Sequence, residues 1–254
     1  MMVFTCLPDF EAMMTCIYDA WDWALKNGHE NLRLELEPII QPTFFDTYMH
    51  IEADPEKVEK VVRSIQRKIS YESYIRVYYA CLCEEDLLDV IYRYLRIGFR
   101  VGARVDAMLT EAPVMKLTEN RRKIGNESHY FREFMRFSCV DGKVYVAHFE
   151  PKSNVVYLVA RHFADRMPSE HWMIIDDTRR LAVVHPCDQE MYLRKLEEEE
   201  FEQLRQLEER RDEFTELWQT FFDTIAIKER ENRKCQRNMM PIWMRKHAPE
   251  FQGK

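Results

Sequence analysis

FSCVDGKVYVAHFEPKSNVVYLVARHFADRMPSEHWMIIDDTRRLAVVH (137–185) is the stretch that decides the fold, because its hydrophobic period changes twice. Phe137–Val140 and Lys143–Phe149 are rich in β-branched and aromatic residues, and the Asp141-Gly142 between them suits a type I′ turn, so they read as a β-hairpin. Asn154 then caps a helix with Val155, Leu158, Val159 and His162–Phe163 on its apolar side, ending before Pro168. Trp172–Asp176 and Leu181–His185 return as strands around the turn Asp177-Thr178-Arg179-Arg180. This β-β-α-β-β block predicts a small antiparallel sheet carrying one helix.

The flanks are mostly helical. Val3–Cys6 is a short strand, and Pro8-Asp9 opens a helix with Phe10, Met13, Met14, Ile17, Trp21 and Leu25 at helical spacing, closed by Asn27-Gly28. Leu32, Leu34 and Leu36 alternate with charged residues as a half-buried strand, and Thr47–Glu52 reads as another. Asp54-Pro55-Glu56 is a helix start: Asp caps, Pro suits the first turn and Glu meets the positive end of the dipole. Helices are expected over 71–83, 85–101 and 113–135, the last with a break near Gly125. A long helix is expected over 195–225, entered through Glu197–Glu200, and a basic tail follows. The sum is an α+β chain: a helix-rich N-terminal half, a small antiparallel sheet with a helix, and a long C-terminal helix with its tail. Its 254 residues suit a single domain or a tightly packed pair, with 1–112 and 113–254 as the natural subdivision.

Composition excludes several classes. The 6 glycines stand alone, so there is no P-loop, no dinucleotide-binding fingerprint and no nucleophile elbow, each of which needs glycines at short fixed spacing. The 7 cysteines include no C-x-x-C pair and no C-x₃-C-x₂-C cluster, which argues against a zinc ribbon, a dithiol redox motif or a radical-SAM cluster. Reduced thiols, no signal-peptide pattern at MMVFTCLPDF and no membrane-length apolar run point to the cytoplasm. No cofactor and no metal site are expected.

The net charge of −7 is an average of unlike parts. Residues 226–254 carry +5, from Lys228, Arg230, Arg233, Lys234, Arg237, Arg245, Lys246 and Lys254 against three acids, and the rest carries −12. Trp243 sits among those cations, and cations beside an aromatic are what a nucleic-acid strand needs: phosphate pairing plus a stacking face. An arm folded onto the acidic segment 187–225, or docked on a partner, fits the same charges. A second basic set lies on the expected helix 113–135 and just past it: Arg121, Arg122, Lys123, Arg132 and Arg136. Arg93, Arg96, Arg100 and Arg104 form a stripe that is either a solvated face, a phosphate contact or a docking face.

Candidate chemistry is sparse. His162 and Asp165, three apart on a helix beside Arg166, form either an acid–base pair or a structural histidine–carboxylate tie. His148-x-Glu150 places two ligands on one strand face but has no third in sequence range. Asp176-Asp177 ends a strand, where catalytic acids and plain turns both occur. His185-Pro186-Cys187 reads as structural, since Pro186 blocks regular strand geometry between the histidine and the thiol.

Four segments together, HYFREFMRF (129–137), YVAHFEPKSNVVYLVARHFADRMP (145–168), WMIIDD (172–177) and LWQTFFDTIAIKERENRKCQRNMMPIWMRK (217–246), resemble the bacterial family called "probable DNA metabolism protein", a domain of unknown function. The resemblance implies a process, DNA repair or modification, with a radical-SAM protein bearing helix-hairpin-helix DNA-binding features as partner. It also implies kinship with chains fused to a uracil-DNA-glycosylase-like domain. It carries no catalytic residues over. The positions its words nominate are Arg132, Arg136, His162, Asp165, Arg166, Asp223, Lys228 and Arg230. Three functions are therefore open: a DNA-metabolism accessory protein binding DNA through its basic segments, an enzyme on nucleic acid using the His162/Asp165/Arg166 group, and an interaction module.

Overall fold

The structure is a computed structural model; it describes residues 1–39, 41–140, 142–208, 217–218, 220–221, 224–225 and 232–251. The chain divides into two compact units, Met1–Ile124 and Gly125–Lys254. The architecture is the α+β mixture expected, with a helix-rich N-terminal half. No helix among the described residues is long and apolar enough to cross a membrane.

The first unit is built on β1 (Met2–Cys6), flanked by β2 (Leu32–Leu36) and β3 (Thr47–His50) in an all-parallel sheet of order β2-β1-β3. A central parallel strand is covered on both faces, which is why Val3–Cys6 reads as a continuous buried run. α1 (Phe10–Asn27) is capped by Asp9, whose carboxylate accepts from the Ala12 N–H, and α2 (Pro55–Lys68) by Asp54, as the Asp-Pro-Glu signal predicts. α3 (Tyr71–Cys81) and α4 (Leu88–Val101) complete the layer over Phe4, Ile17, Ile65, Leu88 and Ile91. Gly98 has a packing reason: a Cβ there would stand 2.7 Å from Ile69 Cδ1, so any larger residue requires the Ile69 side chain to shift. A buried polar knot ties α3 to the turn after α4. Tyr94 donates to Asp106 and Ser73, Ser70 and Ser73 donate to Asp106, and Arg76 stands 3.6 Å from the same carboxylate.

α5 (Ala112–Phe134) runs without the break expected at Gly125. The second unit then holds a five-stranded sheet of order β4-β5-β6-β7-β8: β4 (Ser138–Val140), β5 (Val144–Phe149), β6 (His171–Asp176), β7 (Leu181–His185) and β8 (Tyr192–Lys195). The antiparallel expectation holds for β4–β5, β6–β7 and β7–β8. β5 and β6 pair parallel, because α6 (Val156–Arg166) carries the chain back to the starting edge before β6 begins. Their register sets Phe149 beside Asp176, so both strands end at the same edge. Two local expectations change. Asn154 does not cap α6; the helix is entered through Val155, whose N–H donates to the Ser153 carbonyl. Tyr192–Lys195 forms the exposed edge strand β8, which was not expected, and the helix expected from 195 begins at Glu198. α7 spans Glu198–Glu208, and the remainder of the expected helix to 225 lies largely outside the described residues. α7 covers one sheet face through Phe201, which with the preceding Leu196 packs on Val146, Ile175 and Ala182. α8 (Arg233–Met239) and two 3-10 turns, Ile242–Met244 and Pro249–Phe251, follow.

Candidate functional site

Parallel strands that end together bring the residues after them together, and open α/β sheets bind ligands at that carboxyl edge. Here the edge carries His148 and Glu150 from β5 and its loop, and Asp176 and Asp177 from β6. Residues two apart on a strand share a face, so His148, Glu150 and Asp177 fall on the α7 side. The Asp177 N–H donates to the Phe149 carbonyl at 3.0 Å, extending the pairing one residue past β6. That bond fixes the height of the Asp177 side chain beside β5.

The two adjacent aspartates do different things. Asp176 is fully buried and accepts from the Thr178 and Arg179 N–H groups at 3.0 and 3.1 Å and from Arg179 Nη1 at 3.1 Å. Burial pushes its carboxyl above the ordinary range, against the pull of Arg179 and the two amides. Arg179 also donates to the Pro151 and Lys152 carbonyls, so Asp176 anchors the loop that leaves β5. From the other side Glu127 accepts from the Lys152 and Ser153 N–H groups at 2.7 and 3.2 Å. The Pro151–Ser153 loop is thereby held by charged groups at both ends.

Asp177 faces the site. Its Oδ1 lies 2.8 Å from His148 Nδ1, in a pair whose histidine side chain is 0% exposed and whose aspartate is 9% exposed. A carboxylate only accepts, so the proton of this bond sits on His148 Nδ1. The buried Nε2 of the same ring has no hydrogen-bond partner among the described residues. His247 packs against the His148 ring, centroids 6.3 Å apart and planes 20° from parallel. Its Nε2 stands 3.7 Å from Asp177 Oδ2 and 3.9 Å from Glu150 Oε1. Ligand atoms of Glu150, Asp177 and His247 all lie within 4.8 Å of one another. Lys246 pairs with Glu150, and Lys152 Nζ sits 4.8 Å from the centre of the Trp243 ring. Side-chain exposure climbs from 0% at His148 through 15% at His247 and 35% at Glu150 to 62% at Lys246. The centre is therefore a buried imidazole–carboxylate pair opening outward onto cations and an aromatic ring.

Of the residues nominated by sequence, Trp243 and Lys246 belong to this centre. Arg245 turns inward instead, donating to the Met240 carbonyl and stacking on Phe251 at 4.4 Å. Arg233, Lys234 and Arg237 lie exposed on α8. Lys228, Arg230 and Asp223 lie outside the described residues. The set on α5 divides between the units: Arg121, paired with Glu72, and the exposed Arg122 and Lys123 belong to the first. Arg132 and Arg136 belong to the second. Arg136 pairs with Glu250 at 2.7 Å, and its guanidinium lies 4.9 Å from the Trp218 ring centre. Trp218 Nε1 donates to Glu250 too, so the tail is tied to the acidic segment at this point and to the β5 edge through Lys246. In the stripe on α4, Arg93 is paired with Asp89 and Arg96 with Glu30. His185 stacks on Trp172 with ring centres 4.7 Å apart, and the Asp188 carboxylate holds the Cys187 thiol above its ordinary pKa, which suits structure rather than nucleophilic chemistry.

The His162 group forms a second, shallower cluster. Burial first, then Arg132 and Arg166, hold the His162 imidazole below its ordinary value against the pull of Asp165. The unfolded chain then takes up a proton before the folded one. Stability contributed here is complete above about pH 6.5 and declines as pH falls from there toward the depressed folded value. Replacing Arg132 with glutamine should move the His162 midpoint upward in an NMR titration of its ring protons; an unchanged midpoint would remove the arginine from this cluster.

Sequence reasoning singled out His148-x-Glu150 but lacked a third ligand. Asp177 lies 27 positions after Glu150 and His247 lies 97 after it, so only the parallel β5–β6 pairing and the returning tail reveal the set. The available signal was the two-residue spacing of His148 and Glu150; Asp177 joins them only through the strand register. The model of DUF4130, a domain of unknown function, matches residues 85–250, which span the whole of this centre. No curated protein matches the chain.

Proposed function

Since the chain belongs to the DUF4130 family, a domain of unknown function, we propose its role from the chemistry of the centre: a nucleic-acid-binding protein of DNA metabolism that holds a strand across the carboxyl edge of β5 and β6. The observation that carries this is the return of the tail. It places Trp243, Lys246 and His247 against the loop and strand ends that hold His148, Glu150, Lys152 and Asp177. Lys152 and Lys246 supply phosphate pairing and Trp243, 37% exposed, supplies a stacking surface. Below them, the buried His148–Asp177 pair fixes a carboxylate at the floor of the centre.

The process that the family words imply, DNA repair or modification alongside a radical-SAM partner, is part of the same proposal. In this reading the exposed cations of α8, Arg233, Lys234 and Arg237, extend the electrostatic footprint beyond the centre. Fluorescence anisotropy with labelled single- and double-stranded DNA tests it, with and without the partner. Affinity should be measurable at low salt and fall steeply as salt rises, because released counterions drive it. No affinity for either strand form at low salt, alone or with the partner, would contradict it.

A further inference from the structure

We propose that Glu150, Asp177 and His247 bind one divalent transition-metal ion, with His148 as the residue that positions Asp177. Ligand spacing is the first argument. Metal–oxygen and metal–nitrogen bonds of roughly 2.0–2.2 Å put neighbouring ligand atoms about 3.0–3.5 Å apart. The 3.7 and 3.9 Å separations from His247 Nε2 to Asp177 Oδ2 and Glu150 Oε1 need a contraction of only a few tenths of an ångström. The second argument is the way Asp177 is divided. Oδ1 is held by His148 and Oδ2 is turned toward His247, the outer-shell orientation that fixes a ligating carboxylate. The third is the burial of the His148–Asp177 pair, side chains 0% and 9% exposed, which holds the ligating carboxylate in one orientation. One imidazole with two carboxylates suits Mn²⁺, Fe²⁺ or Zn²⁺ better than the softer ions that thiolates select.

Lys246 is consistent with this assignment. Its exposed ammonium stands against Glu150, on the oxygen that also faces His247. An ion at the centre takes over that negative charge and releases Lys246 to pair with a phosphate. The role of the ion, neutralising a phosphodiester and acidifying bound water, rests on the nucleic-acid reading. Its binding does not, so the test contains no nucleic acid and the two can fail separately.

The probe is Mn²⁺, which avoids the cysteine thiols. The full-length protein, stripped by chelation, is titrated calorimetrically with MnCl₂, and bound ion is counted by electron paramagnetic resonance. One saturable site is expected. Asp177→Asn and Glu150→Gln should each weaken it by at least about 10-fold, and His247→Gln likewise, with circular dichroism unchanged. Lys246→Ala should bind Mn²⁺ at least as tightly as the parent. Wild-type protein without a saturable Mn²⁺ site would overturn the proposal. So would correctly folded Glu150→Gln and Asp177→Asn proteins that bind like the parent, or weaker binding by Lys246→Ala.

Discussion

Replacing Asp176 with alanine should lower the stability of the 125–254 unit by about 3–5 kcal/mol, the usual loss when one partner of a buried ion pair is removed. Its carboxylate is buried, accepts from two backbone N–H groups and holds Arg179, which holds the Pro151 and Lys152 carbonyls. Alanine leaves the Thr178 and Arg179 N–H groups and the guanidinium without this acceptor. Asparagine keeps one acceptor oxygen and sheds the charge that burial already disfavours, so its loss should be about 1–2 kcal/mol. Urea unfolding of both variants separates the cases. Equal losses would show that the carboxylate fills space and does not anchor the loop.

The second large effect is at His148. Phenylalanine retains much of the ring volume and removes the Nδ1 donor, so Asp177 loses the bond that divides its two oxygens. Affinity for Mn²⁺ should fall about 10–100-fold, as when an outer-shell partner is removed. Asparagine offers an N–H in place of Nδ1 and should recover part of that loss. A merely structural histidine would give a different pattern, with stability changed in both variants and Mn²⁺ affinity in neither. Mn²⁺ affinity and the thermal midpoint, measured on the same samples, distinguish the two outcomes.

Much of the fold was legible because local chemistry agreed with it. Asp54-Pro55-Glu56 starts α2, Asp9 caps α1, and the alternation of Leu32, Leu34 and Leu36 marks β2. The period change at 137 announces the second sheet. What stayed hidden is non-local. Parallel pairing of β5 with β6 was not read, although the helix between them is the crossover a parallel pair needs, because the hairpins on either side suggested one antiparallel sheet. β8 was missed because Tyr192–Lys195 is an exposed edge with no buried alternation. The centre followed the same rule. His148 and Glu150 were visible as a pair on one strand. Asp176 and Asp177 could not be assigned separate roles until the register placed one under the loop and the other beside His148. The basic tail was visible as charge, but charge alone does not separate Arg245, which folds inward, from Lys246, which reaches Glu150.

A strand bound across the β5–β6 edge lies within reach of Lys152, Trp243 and Lys246. Photo-cross-linking of a single strand carrying halogenated pyrimidines, followed by peptide mapping, tests this placement most directly. Adducts are expected at Trp243 and in the peptides containing Lys152 and Lys246, and should be lost when Trp243 and Lys246 are both replaced with alanine. Adducts confined to Arg93–Arg104 or to the 121–123 segment, unchanged in that double variant, would contradict it.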